Sequence, residues 1–195
     1  MTVRSELHSH DQAAQQLRRD TAGLVLGLAM IATGLSAGLL YSYACSVLPG
    51  LAHTSDRTFI DAMQQINKAI QNPVFFATFF GALALTAVAA AQQRRLGPGA
   101  TTRWAVTALA LYALALGVTV VANVPLNDHL AAAGDPARIA DPAAVRDHFQ
   151  APWIAWNVAR TALATAALGC LGRALVLHGR RGRVRLSANL GTGDR

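Results

Sequence analysis

Four apolar stretches, each long enough to cross a bilayer, constrain this chain more than any other feature in it. They run from Ala22 to Val47, Val74 to Ala91, Trp104 to Val124 and Ile154 to Leu177, and a helix needs about 20 apolar residues to cross a hydrocarbon core about 30 Å thick. Lipid offers backbone groups no partners, so each stretch is expected to be helical. With 195 residues, 53% of them hydrophobic, little remains for a soluble module. The expected fold is an all-α membrane protein, a four-helix transmembrane bundle with short amphipathic helices in its two outer loops. The expected divisions are a polar N-terminal segment over residues 1–20, the transmembrane domain over 21–178 and a basic, disordered tail over 179–195.

The net charge of +7 would suggest nucleic acid if the arginines clustered on a soluble face. They gather instead at the ends of spans. Arg4, Arg18 and Arg19 precede the first span, Arg94, Arg95 and Arg103 separate the second from the third, and Arg173, Arg180, Arg181, Arg183 and Arg185 close or follow the fourth. The alternate loops hold Arg57, Lys68, Arg138 and Arg146 against Asp56, Asp61, Asp128, Asp135, Asp141 and Asp147. By the positive-inside rule both termini are expected in the cytoplasm, with the chain in a bacterial plasma membrane. The first stretch follows a long polar segment and exceeds a signal-peptide core, so it is expected to remain as a helix. Cys45 and Cys170 stand at different depths, and no bridge between them is expected.

In span one Gly23 with Gly27 and Gly34 with Gly38 have the small-xxx-small spacing that lets helices approach closely, which nominates span one as the packing hub. The segment before it reads as a short surface helix or a frayed tail. In the first outer loop Ser55 or Asp56 begins a helix to about Gln71, with Phe59, Met63, Ile66 and Ile70 on one face, and Asn72-Pro73 ends it. In the second outer loop Asp141-Pro142 has the form of a helix start, opening a short helix to about Phe149.

Polar residues inside spans are costly and therefore informative. Asn67, Asn72, Asn123, Asn127, Asn157 and Arg160 all fall in the outer half or the outer loops. Trp153, Trp156, Asn157 and Arg160 lie at i, i+3, i+4 and i+7 on one face of span four. Asn123 and Asn127 flank Pro125, which is expected to break the end of span three opposite that face. A charge at the depth of Arg160 must snorkel, pair or line a wet cavity, and Asp128 is a candidate partner. The plainer alternative is that the asparagines satisfy a broken helix while Arg160 reaches the headgroups. No span carries an interior histidine, so a haem held between helices has no ligands, and His53, His129 and His148 lack metal-ligand spacing.

Leu48-Pro49-Gly50-Leu51, the run from Met63 to Pro73, Asn123-Val124-Pro125-Leu126-Asn127 and the run from Trp153 to Arg160 together resemble the anthrone oxygenase-like family of small four-span membrane proteins. The resemblance extends over residues 22–177. It implies oxidation of anthrones to anthraquinones in polyketide biosynthesis by an oxidoreductase, a monooxygenase, with O2 as co-substrate and no tightly bound metal or flavin. It carries Asn67, Asn72, Asn123, Asn127, Trp156, Asn157 and Arg160 as matched positions.

Two readings follow. As an enzyme, the protein takes a flat phenolic ketone into the outer half of the bundle and removes its benzylic proton. Arg160 with Asn123, Asn127 or Asn157 holds the enolate oxygen, Trp156 stacks on the ring beside Asn67, Asn72 and Met63, and Asp128 or His129 is the base. As a non-catalytic protein, it binds a hydrophobic ligand or scaffolds a partner and uses the same polar network for packing. In both the expected partners are the bilayer and a hydrophobic aromatic small molecule rather than nucleic acid, with the oligomeric state open. A cavity beside Arg160 of about 300 Å³ or more favours the enzyme.

Overall fold

The computed structural model describes residues 2–191, with side chains placed for residue 10 and residues 12–180. Seven α-helices run in the order α1 (Thr2–Ser42), α2 (Leu48–Ala52), α3 (Asp56–Ala69), α4 (Pro73–Arg95), α5 (Ala100–Val118), α6 (Val124–Ala132) and α7 (Pro142–Gly191), with no strand among the described residues. Four helical stretches are long and apolar enough to cross a membrane: Gln12–Ala52, Pro73–Arg95, Ala100–Ala132 and Pro142–Arg180. Helices α1, α4, α5 and α7 form a ring in which each packs on two neighbours, and α5 and α7 share the largest interface. Leu24, Leu28, Ile31 and Leu35 make an exposed apolar stripe on α1, the surface a bilayer covers.

Small side chains let the four helices approach. The shared core is built from Ala29, Ala82, Ala89, Ala105, Ala108, Ala164, Ala167 and Ala174, filled out by Leu26, Leu171 and Tyr112. Tyr112 donates its hydroxyl to the Phe79 carbonyl at 3.1 Å, joining α5 to α4. The glycines of α1 contribute less than their spacing suggests. A Cβ at Gly23 would stand 3.3 Å from the His178 ring and one at Gly34 3.6 Å from Leu168, whereas Gly27 and Gly38 have nothing within 4 Å. Span one is thus one of four equivalent staves, because alanines distribute the close approach around the ring.

Two spans change winding at one end of the bundle. A π-helical turn over Tyr43–Val47 joins α1 to α2, and a second over Thr119–Asn123 joins α5 to α6. In each, a proline stands in the first turn of the following helix, Pro49 or Pro125. The Leu48 N–H reaches Tyr43 O and the Val124 N–H reaches Thr119 O, so the ladder has slipped by one residue just before a residue without an N–H. The break expected at Pro125 is therefore a change of pitch that keeps the backbone bonded.

This end is capped. Helix α3 begins on Ser55, whose hydroxyl accepts from the Thr58 N–H, and buries Phe59, Ile60 and Met63 against Leu48, Leu130, Ile139, Phe149 and Trp153. Arg146 on α7 holds the cap down, donating to Ala52 O (3.1 Å), Thr54 O (3.0 Å) and Asp56 Oδ1 (2.9 Å) beneath the Phe59 ring. Arg57 reaches Pro136 O and Ile139 O, and Gln64 reaches Leu130 O and Gly134 O.

Three boundaries differ from the expectation. Asp141 does accept from the Ala144 N–H at 3.0 Å, but the helix it starts passes Phe149 and Pro152 and continues as the fourth span. Proline removes only one helical donor, and the contact of Phe149 with Trp153 one turn on, at 6.1 Å, keeps both rings in the same core. Helix α1 runs through the polar N-terminal segment into the first span, where a separate surface helix or a frayed tail was the expectation. Helix α7 likewise continues to Gly191 through the segment expected to be disordered, and residues 192–195 lie outside the described residues.

Candidate functional site

Arg160 is 7% exposed, and Asn157 and Asn123 are fully buried. Their depth follows from the face that α7 turns to α1 and α5. Arg160 donates to Asn157 Oδ1 from Nε (3.2 Å) and Nη2 (3.1 Å), and from Nη1 to the Thr119 hydroxyl (3.3 Å). Asn157 in turn donates from Nδ2 to the Leu40 carbonyl at 3.1 Å. Thr119 opens one π-helical turn and Leu40 precedes the other, so the α7 side chains meet backbone and hydroxyl groups where the winding changes. Among the described residues Arg160 has no carboxylate partner, and Asp128, the partner expected from the sequence, is exposed and makes no ion pair.

Trp153 sits at the centre of the cluster. The Arg160 guanidinium lies 5.3 Å from its ring centroid. Its indole N–H donates to Asn127 Oδ1 at 2.8 Å, its carbonyl accepts from Asn123 Nδ2 at 3.3 Å, and the Tyr43 ring tilts against it at 5.6 Å. Asn123 Oδ1 is buried without a partner. Asn123, Asn127, Asn157 and Arg160 therefore meet, joined through Trp153. Trp156, the residue expected to stack on a ligand, is 45% exposed on the outside of the bundle. One helical face spans more than 100°, and of Trp153 and Trp156 only the first lies on its inward side. Tyr43 and Thr119 escape a reading based on asparagine and arginine, although both mark π-helical turns that precede a proline.

The remaining sequence candidates serve the cap. Asn72 accepts from the Phe75 N–H at 3.0 Å and donates to Ala69 O at 2.9 Å, closing α3 and starting α4. Met63 is fully buried in the cap core, and Asn67 is half-buried with its Nδ2 unpartnered. His129 is different. Exposed to solvent, as His148 is, it lines an open cavity of about 280 Å³ at the capped end, between α6 and α7, with Leu126, Leu130, Val145, His148 and Phe149.

His148 Nδ1 lies 2.9 Å from the Ala144 carbonyl. A carbonyl only accepts, so Nδ1 carries the proton and Nε2 keeps its lone pair. His148 precedes Arg160 by twelve positions, about 18 Å along the helix at 1.5 Å per residue. The imidazoles and the guanidinium are thus at different levels, with the Phe149 and Trp153 rings tilted against each other between them. Among the described residues no three of His, Cys, Asp and Glu come together as a metal site requires, and His53 stands apart from the His129 and His148 cavity.

The family model for anthrone oxygenase matches residues 73–170, just over half of the chain. The matched region holds the cavity, Asn123, Asn127, Trp153, Asn157 and Arg160, and leaves α1 and α3 outside it. No curated protein and no solved structure matches the chain. An all-helical chain with four membrane-length helices and a family match across the whole of α4, α5 and α6 and more than half of α7 has one assignment: it belongs to the anthrone oxygenase family.

Proposed function

We propose that this protein is a membrane-embedded oxygenase-like enzyme that oxidises an anthrone-type phenolic ketone with O2 in the cavity at its capped end. The observation that carries the reading is the pair of imidazoles, His129 from α6 and His148 from α7, on the wall of an otherwise apolar cavity of about 280 Å³. That volume falls just short of the lower end of ligand cavities, about 300 Å³, and the cavity lies at the cap and not beside Arg160, where the sequence reading looked for one.

In this scheme His148 Nε2, left as an acceptor by the Nδ1 bond, takes a benzylic proton. The electron pair delocalises onto the carbonyl oxygen across the ring, where His129 donates a hydrogen bond. The enolate gives one electron to O2, and the radical pair combines at the benzylic carbon. After protonation the hydroperoxide loses water to leave the second carbonyl. One O2 is consumed, one oxygen atom enters the product and one leaves as water. The protein's task is proton removal and stabilisation of the anion, and O2 is the only co-substrate.

Carbonyl and methylene lie on opposite edges of one ring, so base and oxyanion donor must stand within about 11 Å, one ring plus two hydrogen bonds. His129 and His148 line the same cavity, whereas Arg160 lies about 18 Å away from His148 along α7. Arg160 is then a positioning residue, holding Trp153 and through it Phe149, which lines the cavity.

The test is anthrone-dependent O2 consumption by the detergent-purified full chain, corrected for spontaneous autoxidation. His148→Gln is expected to lower kcat by about 100-fold or more, the usual contribution of a general base. A wild-type rate equal to autoxidation across a panel of anthrones would favour the second reading, a non-catalytic ligand-binding or scaffold protein. The observation on that side is the filled setting of Arg160, whose donors and face are taken by Asn157, Thr119 and Trp153.

A further inference from the structure

At the end of the bundle opposite the cap, an open cavity of about 750 Å³ lies between α1 and α4. Arg18 and Arg19 from α1 and Arg95 from α4 line it, with Gln92, Leu17 and Leu96. None of the three guanidinium groups has a carboxylate partner among the described residues, and the nearest acid in sequence, Asp20, accepts from Gln16 at 2.9 Å. The cavity sits where the apolar part of α1 begins, at Ala22, and that of α4 ends, at Ala91. That is the level at which a bilayer changes from acyl chain to headgroup.

The backbone here is anchored. His178 Nε2 donates to the Arg19 carbonyl at 3.1 Å, which leaves Nδ1 to accept from Gln93 Nε2 at 3.1 Å. The lack of a Cβ at Gly23 lets the His178 ring approach. Helices α1, α4 and α7 are thus tied together at the cavity's base, and Arg19 and Arg95 are carried on a fixed frame.

We infer that this cavity binds a phosphate-bearing anion, seated as the headgroup of an anionic phospholipid. Three uncompensated arginines supply the charge, and guanidinium forks match phosphate geometry. The volume lies within the range of about 300 to 1,000 Å³ typical of ligand cavities, far more than an inorganic ion fills. Basic pockets between membrane helices at this level are suited to lipid headgroups.

The experiment is native mass spectrometry of the detergent-purified full chain, titrated with dioleoyl phosphatidylglycerol or dioleoyl phosphatidylcholine. The expected result is retention of phosphatidylglycerol at least about tenfold tighter than phosphatidylcholine. Arg18→Gln/Arg95→Gln should abolish that preference. Arg94→Gln/Arg103→Gln removes the same charge from positions outside the cavity and should leave the preference intact. Because all four side chains are on the surface of the basic end, thermal unfolding without added lipid should be the same for every variant.

Equal loss in both double variants would reduce the effect to general surface charge and overturn the site. Equal binding of the two lipids would overturn it as well. Displacement of phosphatidylglycerol by 10 mM inorganic phosphate, taken as about the upper limit for a free-anion site, would assign the cavity to a free anion instead of a lipid.

Discussion

Arg160 donates from two nitrogens, Nε and Nη2, into a single oxygen, Oδ1 of Asn157, one turn earlier on the same helix. A cation buried in the bundle thus has a neutral amide where a carboxylate would ordinarily stand. Removing one partner of a buried charged group costs about 3 to 5 kcal/mol, whereas replacing both by apolar residues is often close to neutral. Asn157→Leu is therefore expected to destabilise the bundle by about 3 kcal/mol or more, since it also takes the donor from Leu40 O. Asn157→Leu/Arg160→Met should be less destabilised than the sum of its single variants by at least about 1 kcal/mol. Chemical denaturation in mixed micelles measures the cycle, and strict additivity would show that the two residues act independently.

The separation of Arg160 from the imidazoles predicts how activity divides. If Arg160 acts through Trp153 and Phe149, Arg160→Lys should raise KM by about 3-fold to 10-fold and leave kcat within about twofold of wild type. If the guanidinium itself met the enolate, kcat would fall instead, because lysine keeps the charge and loses the planar fork. Arg160→Ala is less informative, since it also opens a cavity beside Asn157. Steady-state O2 consumption over a range of anthrone concentrations separates the two outcomes.

Arg146 should matter to the cap about as much as the buried apolar residues of α3. It bonds Ala52 O, Thr54 O and Asp56 while covering Phe59. Arg146→Ala is expected to cost about 3 kcal/mol, and Arg146→Lys should restore less than half of that, since an ammonium cannot span three acceptors in one plane. Amide exchange over Asp56–Ala69 is the readout. Loss of protection there, with the four spans still protected, is the expected pattern.

The distribution of arginine predicts that the capped end faces outward. In a Cys45→Ala background, Ala140→Cys should react with an impermeant maleimide in intact cells, and Arg94→Cys only after permeabilisation. Ala140 and Arg94 are exposed at opposite ends of the bundle. They are better positions than the loop glycines, since Gly97 and Gly134 have φ of 124° and 78°, where a side chain is strained. The reverse labelling would invert the orientation.

Four long apolar runs joined by one tight turn and two longer polar connections leave a chain few alternatives in lipid, so the bundle, the α3 helix with its Ser55 cap and the start of α7 at Asp141 are legible from residue order alone. The same logic brings Asn123, Asn127, Asn157 and Arg160 to one level, because none of them tolerates a lipid-facing position. What residue order does not carry is rotation and winding. Trp153 and Trp156 differ by only about 60° on the helix, and the packing of α7 against Tyr43 and Asn127 decides which faces inward. Pro125 predicts a break by the loss of one donor, but the neighbouring helices hold the backbone in a π-helical turn that keeps its bonds. His129 and His148 are separate residues of the second outer loop in the sequence, and only the run of α7 through Pro152 brings both, still exposed, to the lining of one open cavity. Composition and periodicity act through transfer free energy along each segment, whereas the site depends on which faces of separate segments interdigitate, and only close packing selects among those.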